Sequence, residues 1–448
     1  MSGDASIAAL VVAVFSAWQK AGINFLVLRN YENLPHRTSN DIDVLIAPAQ
    51  LRQAERVLLA AAGPAGYRLH NRAEFVPLAL YLSGKDSGTQ VHFDLFTALK
   101  WRGFEFLSCR EFLRLKVSRE LFSVPHPAHE AAANLLASFI YTGRVKEKYR
   151  PGIAAAFRAQ GGTVLPLLAG TYGRKRAQQL VELGAREKWE AIEREIGSLR
   201  RALILRQLLR RPGRTLGSLL ADGARLSRRF VRPTGLAIVL CGPDGCGKST
   251  LVARVCERLG GTFPPQRGRH IHWKPRVFSR SREGGGPVTD PHGSGRRNPV
   301  VSLAYFAFHW LEFFLGWLLR VRPVLSKGGL VVIERFYYDF FVDQQRYRLR
   351  VPRFMVRGGY VLLPKPDLVF LLDAPVAELR RRKQEVPLEE TARQRGAYVD
   401  LVKTLRNGFV IDASQPPEMA AADIEAAALD FLAVRTAGRR SAANPGSE

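Results

Sequence analysis

Apolar and polar positions along this chain follow two rhythms. The opening stretch "SIAALVVAVFSAW" carries apolar residues at helical spacing and leads into "INFLVL", a strand-like run, so the N-terminus reads as the first helix of a folded domain. Farther on, "HEAAANLLASFIY" and "QQLVELGAREKWEAIEREIGSLRRALILRQLL" repeat apolar residues three and four apart, which predicts a helical block. From Gly235 onward the rhythm changes. Five apolar strand candidates recur, "LAIVL" (236–240), "HIHW" (270–273), "LVVIE" (330–334), "LVFLLD" (368–373) and "FVIDA" (409–413), and helical stretches separate most of them. That alternation predicts a parallel sheet with helices on both faces.

These shifts divide the chain into a mixed α+β domain over 1–125, a helical extension over 126–198, an arginine-rich linker helix over 199–233 and an α/β domain over 234–436. The small, polar stretch 437–448 is expected to fray. With 448 residues, 46% of them hydrophobic and 24% charged, the sequence is long and apolar enough for two cores, which excludes wholesale disorder. One segment, "VVSLAYFAFHWLEFFLGWLL" (300–319), has the length of a membrane span. It holds His309 and Glu312, and a strand follows soon after, so a helix packed on the sheet is expected. Its Phe306–Leu318 face is also a candidate homodimer interface.

Charge changes the picture. Lys and Arg number 67 against 40 Asp and Glu, a net charge of +27 that favours anionic partners. Between Leu199 and Pro233 there are ten arginines and one acid, Asp222, interleaved with leucines. Such a segment either lies on an anionic membrane surface or packs its leucines on a neighbour and leaves its arginines in water. No nucleic-acid-binding module is recognisable, so nucleic acid is not an expected partner. Cys109, Cys241, Cys246 and Cys256 lack paired metal spacing. They fit reduced thiols in a cytoplasmic protein, peripheral to the inner membrane face if the basic segment adsorbs there.

The strongest chemical signal is "CGPDGCGKST" (241–250), placed between an apolar strand and a helix. Gly242, Gly247, Lys248 and Ser249 complete G-x-x-x-x-G-K-S, a loop whose backbone N–H groups enclose phosphate oxygens. Lys248 is positioned for the β- and γ-phosphates of ATP, and Ser249, followed by Thr250, for Mg²⁺. Glu334 ends the third strand of this domain, and Arg335 lies just beyond it, where α/β folds bind ligands. "RRRKQE" (380–385) and "RQR" (393–395) supply cations of the kind a lid places over a moving phosphoryl group.

At these residues the chain resembles the thymidylate kinase family of nucleoside monophosphate kinases. The likeness runs from about Gly235 to Phe431 and rests on "GPDGCGKST", "ERF", "PDLVFLLDAP" and the basic stretch after it. The resemblance implies that Asp244 contacts the acceptor's sugar and that Arg335, in the Glu334-Arg335-Phe336 motif, holds its phosphate. Gly245 follows the loop acid as in members whose catalytic cations come from the lid, which implies that role for Arg381, Arg382 and Lys383. The family's Arg-Glu-Pro-Gly segment is replaced by "HIHWKPR", and its thymine-reading surroundings by "DFFVDQQRY", which keeps Gln344. His272, Lys274, Arg276 and His292 are therefore candidates for reading a different acceptor.

A second resemblance rests on "SNDIDVLIA" (39–47) and "VHFDLF" (91–96). Residues two apart on a strand face one side, so Asp41 and Asp43 project together, and Asp94 lies on another strand. The pattern resembles the DNA polymerase beta-like nucleotidyltransferase superfamily and implies that these three acids bind Mg²⁺. The family's glycine turn is absent, and Arg29 or Arg37 is the candidate substitute. The two-domain layout is similar to bacterial proteins of polysaccharide biosynthesis, which makes a sugar-linked acceptor an expectation. Three functional expectations remain: a kinase transferring the ATP γ-phosphoryl to a small phosphorylated acceptor, a bifunctional enzyme with an active N-terminal nucleotidyltransferase, and a regulatory ATP-binding protein at a membrane surface.

Overall fold

The computed structural model describes residues 2–36, 38, 41–84, 89–278 and 295–443. The chain divides into two compact units, Met1–Ser227 and Arg228–Glu448.

The first unit opens with α1 (Ser2–Lys20), β1 (Phe25–Val27), β2 (Asp41–Ile46), α2 (Leu51–Ala62) and three longer strands, β3 (Tyr67–Glu74), β4 (Leu78–Gly84) and β5 (Gln90–Phe96). They form one mixed sheet in the order β1-β2-β5-β4-β3, with β2 and β5 parallel and the other pairs antiparallel. Side-chain alternation divides its faces. Ile42, Val44 and Ile46 join the core that holds Trp18 and Leu58, whereas Leu45 joins the second core beneath the helices. Trp18 is fully buried, and its indole N–H donates to the Ala54 carbonyl at 2.9 Å, which fixes α1 on α2.

That second core is built on a small hairpin, β6 (Leu99–Trp101) and β7 (Phe104–Leu107), followed by α3 (Cys109–Arg114) and the short pair β8 (Val117–Ser118) and β9 (Ser123–Val124). The helices α4 (Pro127–Thr142), α5 (Arg150–Tyr172), α6 (Arg174–Ala185), α7 (Trp189–Arg194), α8 (Ile196–Arg210) and α9 (Pro212–Val231) follow. Leu135, Phe139, Phe157, Leu180 and Leu203 are buried among them, as helical periodicity requires.

In the second unit β10 (Leu236–Cys241) runs into the glycine loop and α10 (Lys248–Arg258). Then come β11 (Arg269–Ile271), α11 (Pro299–Gly316), α12 (Arg322–Ser326), β12 (Leu330–Glu334), α13 (Asp339–Val342), α14 (Arg353–Leu362), β13 (Leu368–Asp373), α15 (Val376–Arg382), α16 (Leu388–Lys403), β14 (Gly408–Asp412) and α17 (Pro417–Ala443). All five strands are parallel, in the order β11-β12-β10-β13-β14. Leu236, Ile238 and Leu240 pack in one apolar layer, and Ala237, Val239 and Cys241 pack in the other. A parallel sheet covered on both faces explains why these strands read as unbroken apolar runs. β10 lies between β12 and β13, so the loop that follows it opens at the switch point of the sheet.

Two details differ from the sequence reading. The second strand ends at Ile271, leaving His272 and Trp273 beyond it, and the C-terminal helix continues through Ala443. The helical stretch Pro299–Ser326 is long and apolar enough to cross a bilayer. Here Phe306, Phe313, Trp317, Val321 and Leu325 are buried in the sheet-facing core, while Val300, Leu303 and Leu319 are exposed. The helix also carries Glu312, fully buried and ion-paired with Lys274. The segment 279–294, with His292, and also Arg37 lie outside the described residues.

Candidate active site at the glycine loop

Three glycines with positive φ shape the loop: Gly242 (143°), Gly245 (86°) and Gly247 (88°). A Cβ on Gly242 would lie 2.7 Å from the Leu372 carbonyl oxygen, and one on Gly245 would lie 2.5 Å from that of Leu379. Backbone therefore occupies the space a side chain would need, and the loop's own N–H groups can turn inward. Lys248 is buried at the start of α10, and its ammonium donates to the Gly242 and Pro243 carbonyls at 2.9 and 2.8 Å, so it arches across the loop. Ser249 and Thr250 are exposed on the first turn of the same helix.

Ser249 Oγ donates to Glu334 Oε2 at 3.0 Å. The Glu334 carboxylate is buried at the end of β12, with His270 Nε2 at 2.7 Å and His272 Nδ1 at 3.7 Å. Burial alone would raise its pKa. The nearby His272 ring and the hydrogen bonds from Ser249 and His270 outweigh that effect and hold it at about 2.

Arg335 adopts φ 74° and ψ −57°, and Phe336 adopts φ 55°. Non-glycine residues avoid that region, and two in succession mark backbone held in place by its surroundings. Arg335 N–H donates to the Leu240 carbonyl at 2.9 Å, fixing this turn to the central strand. The Arg335 guanidinium pairs with Asp244, and Arg346 pairs with the other oxygen of the same carboxylate. Burial opposes ionisation of Asp244, but Arg335, Lys248 and Arg346 outweigh it and hold the carboxyl well below the usual range. Behind this pair Asp339 is buried and accepts from the hydroxyls of Tyr347 and Tyr398 at 2.6 and 2.7 Å.

Several expected residues sit elsewhere. Lys274 is buried against Glu312 and 2.8 Å from His309 Nδ1, inside the core rather than facing the loop. Arg276 is exposed. Gln344 exchanges two hydrogen bonds with Val351, 3.1 and 3.0 Å, and so braces its own turn. Gln344 also lines a cavity of about 760 Å³ with Arg296, Arg350, Arg353 and Arg393. In the lid, Lys383 approaches Gly245 and pairs with Glu385 at 2.6 Å. Arg381 is 79% exposed, and Arg382 is turned to Glu378 and the Ala413 carbonyl, so neither reaches the loop. Sequence reasoning missed Arg346, His270, Asp339 and Glu385. The "DQQRY" stretch held a cation beside the glutamine, but only the fold shows that a turn returns it to Asp244.

In the first unit, the strand register sets Asp43 opposite Asp94, and Asp41 opposite His92, on adjacent parallel strands. The three acids thus share the face that carries Leu45. In this structure Asp43 is buried and turned onto the Arg29 guanidinium. Among the described residues no group of three or more His, Cys, Asp or Glu is arranged to hold a metal ion. Arg29, expected to serve phosphates, instead neutralises the central acid.

The thymidylate kinase of Chromohalobacter salexigens is 30% identical to this chain over 200 residues, which span 41% of this chain and 84% of that protein. The chain belongs to the thymidylate kinase family. Other family members give the same result: the Xanthomonas euvesicatoria enzyme is 25% identical over 223 residues, 46% of this chain and 89% of its own. The Coprothermobacter proteolyticus enzyme is 27% identical over 199 residues, 41% of this chain and 93% of its own. A solved thymidylate kinase from Ehrlichia chaffeensis covers 43% of the chain and 97% of its own at 17% identity, with a TM-score of 0.31. No family model matches the chain. The glycine loop is thus that of a P-loop kinase, a phosphotransferase of the nucleoside monophosphate kinase type.

Proposed function

We propose that the second unit transfers the γ-phosphoryl group of ATP, with Mg²⁺, to a phosphorylated small acceptor, a nucleotide or a sugar-linked phosphate. The supporting observation is Asp244, a carboxylate inside the phosphate loop that two arginines, Arg335 and Arg346, bracket. An acceptor phosphate exchanges readily for a carboxylate on the same guanidinium groups.

On this reading the loop amides and Lys248 hold the β- and γ-phosphates. Ser249 and Glu334 supply the oxygens that suit Mg²⁺, which when bound neutralises phosphate charge. Glu334 stays ionised at any working pH, because its three partners stabilise the charged form. Arg335 and Arg346 bind the acceptor phosphate and aim one of its oxygens at the γ-phosphorus. That oxygen forms the new P–O bond as the bond to the β-phosphate bridging oxygen breaks and ADP leaves. Asp244 accepts from an acceptor hydroxyl once its arginines turn to the phosphate. Lys383 is the lid cation nearest the loop, and Arg381 and Arg382 contribute only if the lid shifts.

Replacing Arg335 by Gln tests this reading. The Michaelis constant for the acceptor should rise by about tenfold or more, while that for ATP stays unchanged. An equal rise in both would contradict the assignment of Arg335 to the acceptor.

A second reading is favoured by the register that sets Asp43 beside Asp94. In it Asp41, Asp43 and Asp94 perform a metal-dependent nucleotidyl transfer after Arg29 releases Asp43. Asp41→Asn with Asp43→Asn should then abolish a metal-dependent activity that survives Lys248→Ala.

A further inference from the structure

The arginines of the segment following Leu199 are not spread evenly over a helix surface. Arg206 and Arg210 of α8, Arg211 at the bend and Arg214 of α9 converge with Lys100 of β6 on one cavity of about 410 Å³. Two acids, Glu105 and Glu111, share its lining, so five cations face two anions. An adjoining cavity of about 920 Å³ shares Lys100, Glu105, Arg211 and Arg214 and adds Arg110 and Arg114. Concentrating like charge in one concavity raises its potential and its appetite for an anion.

The walls are fixed in position. Glu105 N–H donates to Gln207 Oε1 at 3.2 Å, and Gln207 Nε2 donates back to the Glu105 carbonyl, so α8 is pinned to β7. Thr171 Oγ1 donates to the Phe106 carbonyl at 3.1 Å, and Lys100 Nζ donates to Ser218 Oγ at 3.1 Å, tying α5 and α9 to the same hairpin. The cations are only partly neutralised from within. Arg214 reaches Glu105 at 3.5 Å while 69% exposed, and Arg206 Nε is enclosed without a hydrogen-bond partner. A buried donor left in that state calls for an acceptor.

We propose that this cavity binds a small ligand bearing two or more phosphate charges. Its volume lies within the range of about 300–1,000 Å³ typical of small-molecule sites, and guanidinium groups match phosphate oxygens in geometry as well as charge. The site is separate from both centres described above. The adjoining cavity reaches Ala47 and Thr97, just past the ends of β2 and β5, whereas Asp41 begins β2, and the glycine loop belongs to the other unit. The proposal therefore goes beyond the kinase reading and does not depend on it. The same phosphate chemistry could come from a soluble oligophosphate or from a lipid headgroup, since Leu209, Leu216 and Leu220 on these helices are exposed.

The test uses the full chain carrying Lys248→Ala, to suppress phosphate binding at the glycine loop. Pyrophosphate is titrated calorimetrically, and vesicles of phosphatidylcholine with and without phosphatidic acid are sedimented in parallel. Arg206→Gln and Arg214→Gln should each weaken binding by about tenfold, while Arg176→Gln, an exposed charge on α6, should leave it unchanged. Should Arg206→Gln fold poorly, Arg214→Gln decides, because its side chain is mostly in solvent. Sensitivity in the pyrophosphate arm identifies a soluble oligophosphate, and sensitivity in the vesicle arm alone identifies a headgroup. Binding absent from both arms, or equally affected by Arg176→Gln, overturns the proposal. Because no phosphoryl transfer is measured, neither failure touches the kinase reading.

Discussion

At the scale of single residues, the site turns on one carboxylate, Asp244, between two guanidinium groups. Asp244 and Arg335 were legible in the sequence because each sits at a fixed offset from a recognisable motif. Arg346 was not, because its partner lies more than a hundred positions away and no local spacing encodes that meeting. Lys274 misled for the converse reason: a lysine after a strand end looks free, and only the fold reveals the buried Glu312 that claims it. Arg346→Gln should raise the acceptor Michaelis constant by about tenfold with little change for ATP, measured by steady-state kinetics at varied acceptor. Glu334 gives a pH prediction. Its folded-state pKa of about 2 lies below its ordinary 4.5, so its stabilisation is complete above about 4.5 and fades as pH falls through 2. The stability lost in Glu334→Gln, read by denaturant unfolding, should be constant near neutrality and shrink toward zero in acid. A gap that stays constant in acid would mean the carboxylate is not held by its three partners.

At the scale of elements, the parallel sheet was legible almost strand by strand, because strands buried on both faces must be apolar throughout and stand out from their helices. The mixed sheet of the first unit was less so. Its strand β3 is interspersed with polar residues, and short turns join it to its neighbours, which periodicity alone does not order. The acids of the first unit show the same limit: backbone register brings Asp43 and Asp94 together, and Arg29, from the segment after β1, pairs with the Asp43 carboxylate. Two glycine replacements separate loop shape from packing. Gly242→Ala forces a Cβ against the Leu372 carbonyl at 2.7 Å in a left-handed conformation. ATP should then no longer raise the unfolding temperature, while the unit stays folded. Gly316→Ala drives a Cβ into the Pro275 backbone and should destabilise the unit by roughly 1–3 kcal/mol without a direct effect on the loop. Equal loss of ATP binding in both variants would contradict the separation.

At the scale of the molecule, net charge was visible from composition, but its distribution was not. The arginines of the 199–233 segment were expected to meet either lipid or water; instead several of them line a cavity whose other walls come from β6, β7 and α5, far away in sequence. Two units with separate cores also mean that chemistry at one can be removed without the other. The paired substitution Asp41→Asn and Asp43→Asn should therefore leave Lys248-dependent transfer unchanged. The most direct test of the central claim is γ-phosphoryl transfer from ATP by the full chain, with thymidylate, other nucleoside monophosphates and phosphorylated sugars offered in turn and Lys248→Ala as control. Transfer to at least one of these acceptors is expected, reduced by about 10² or more in Lys248→Ala. ATP hydrolysis unaffected by every acceptor, or transfer that persists without Lys248, would contradict that claim.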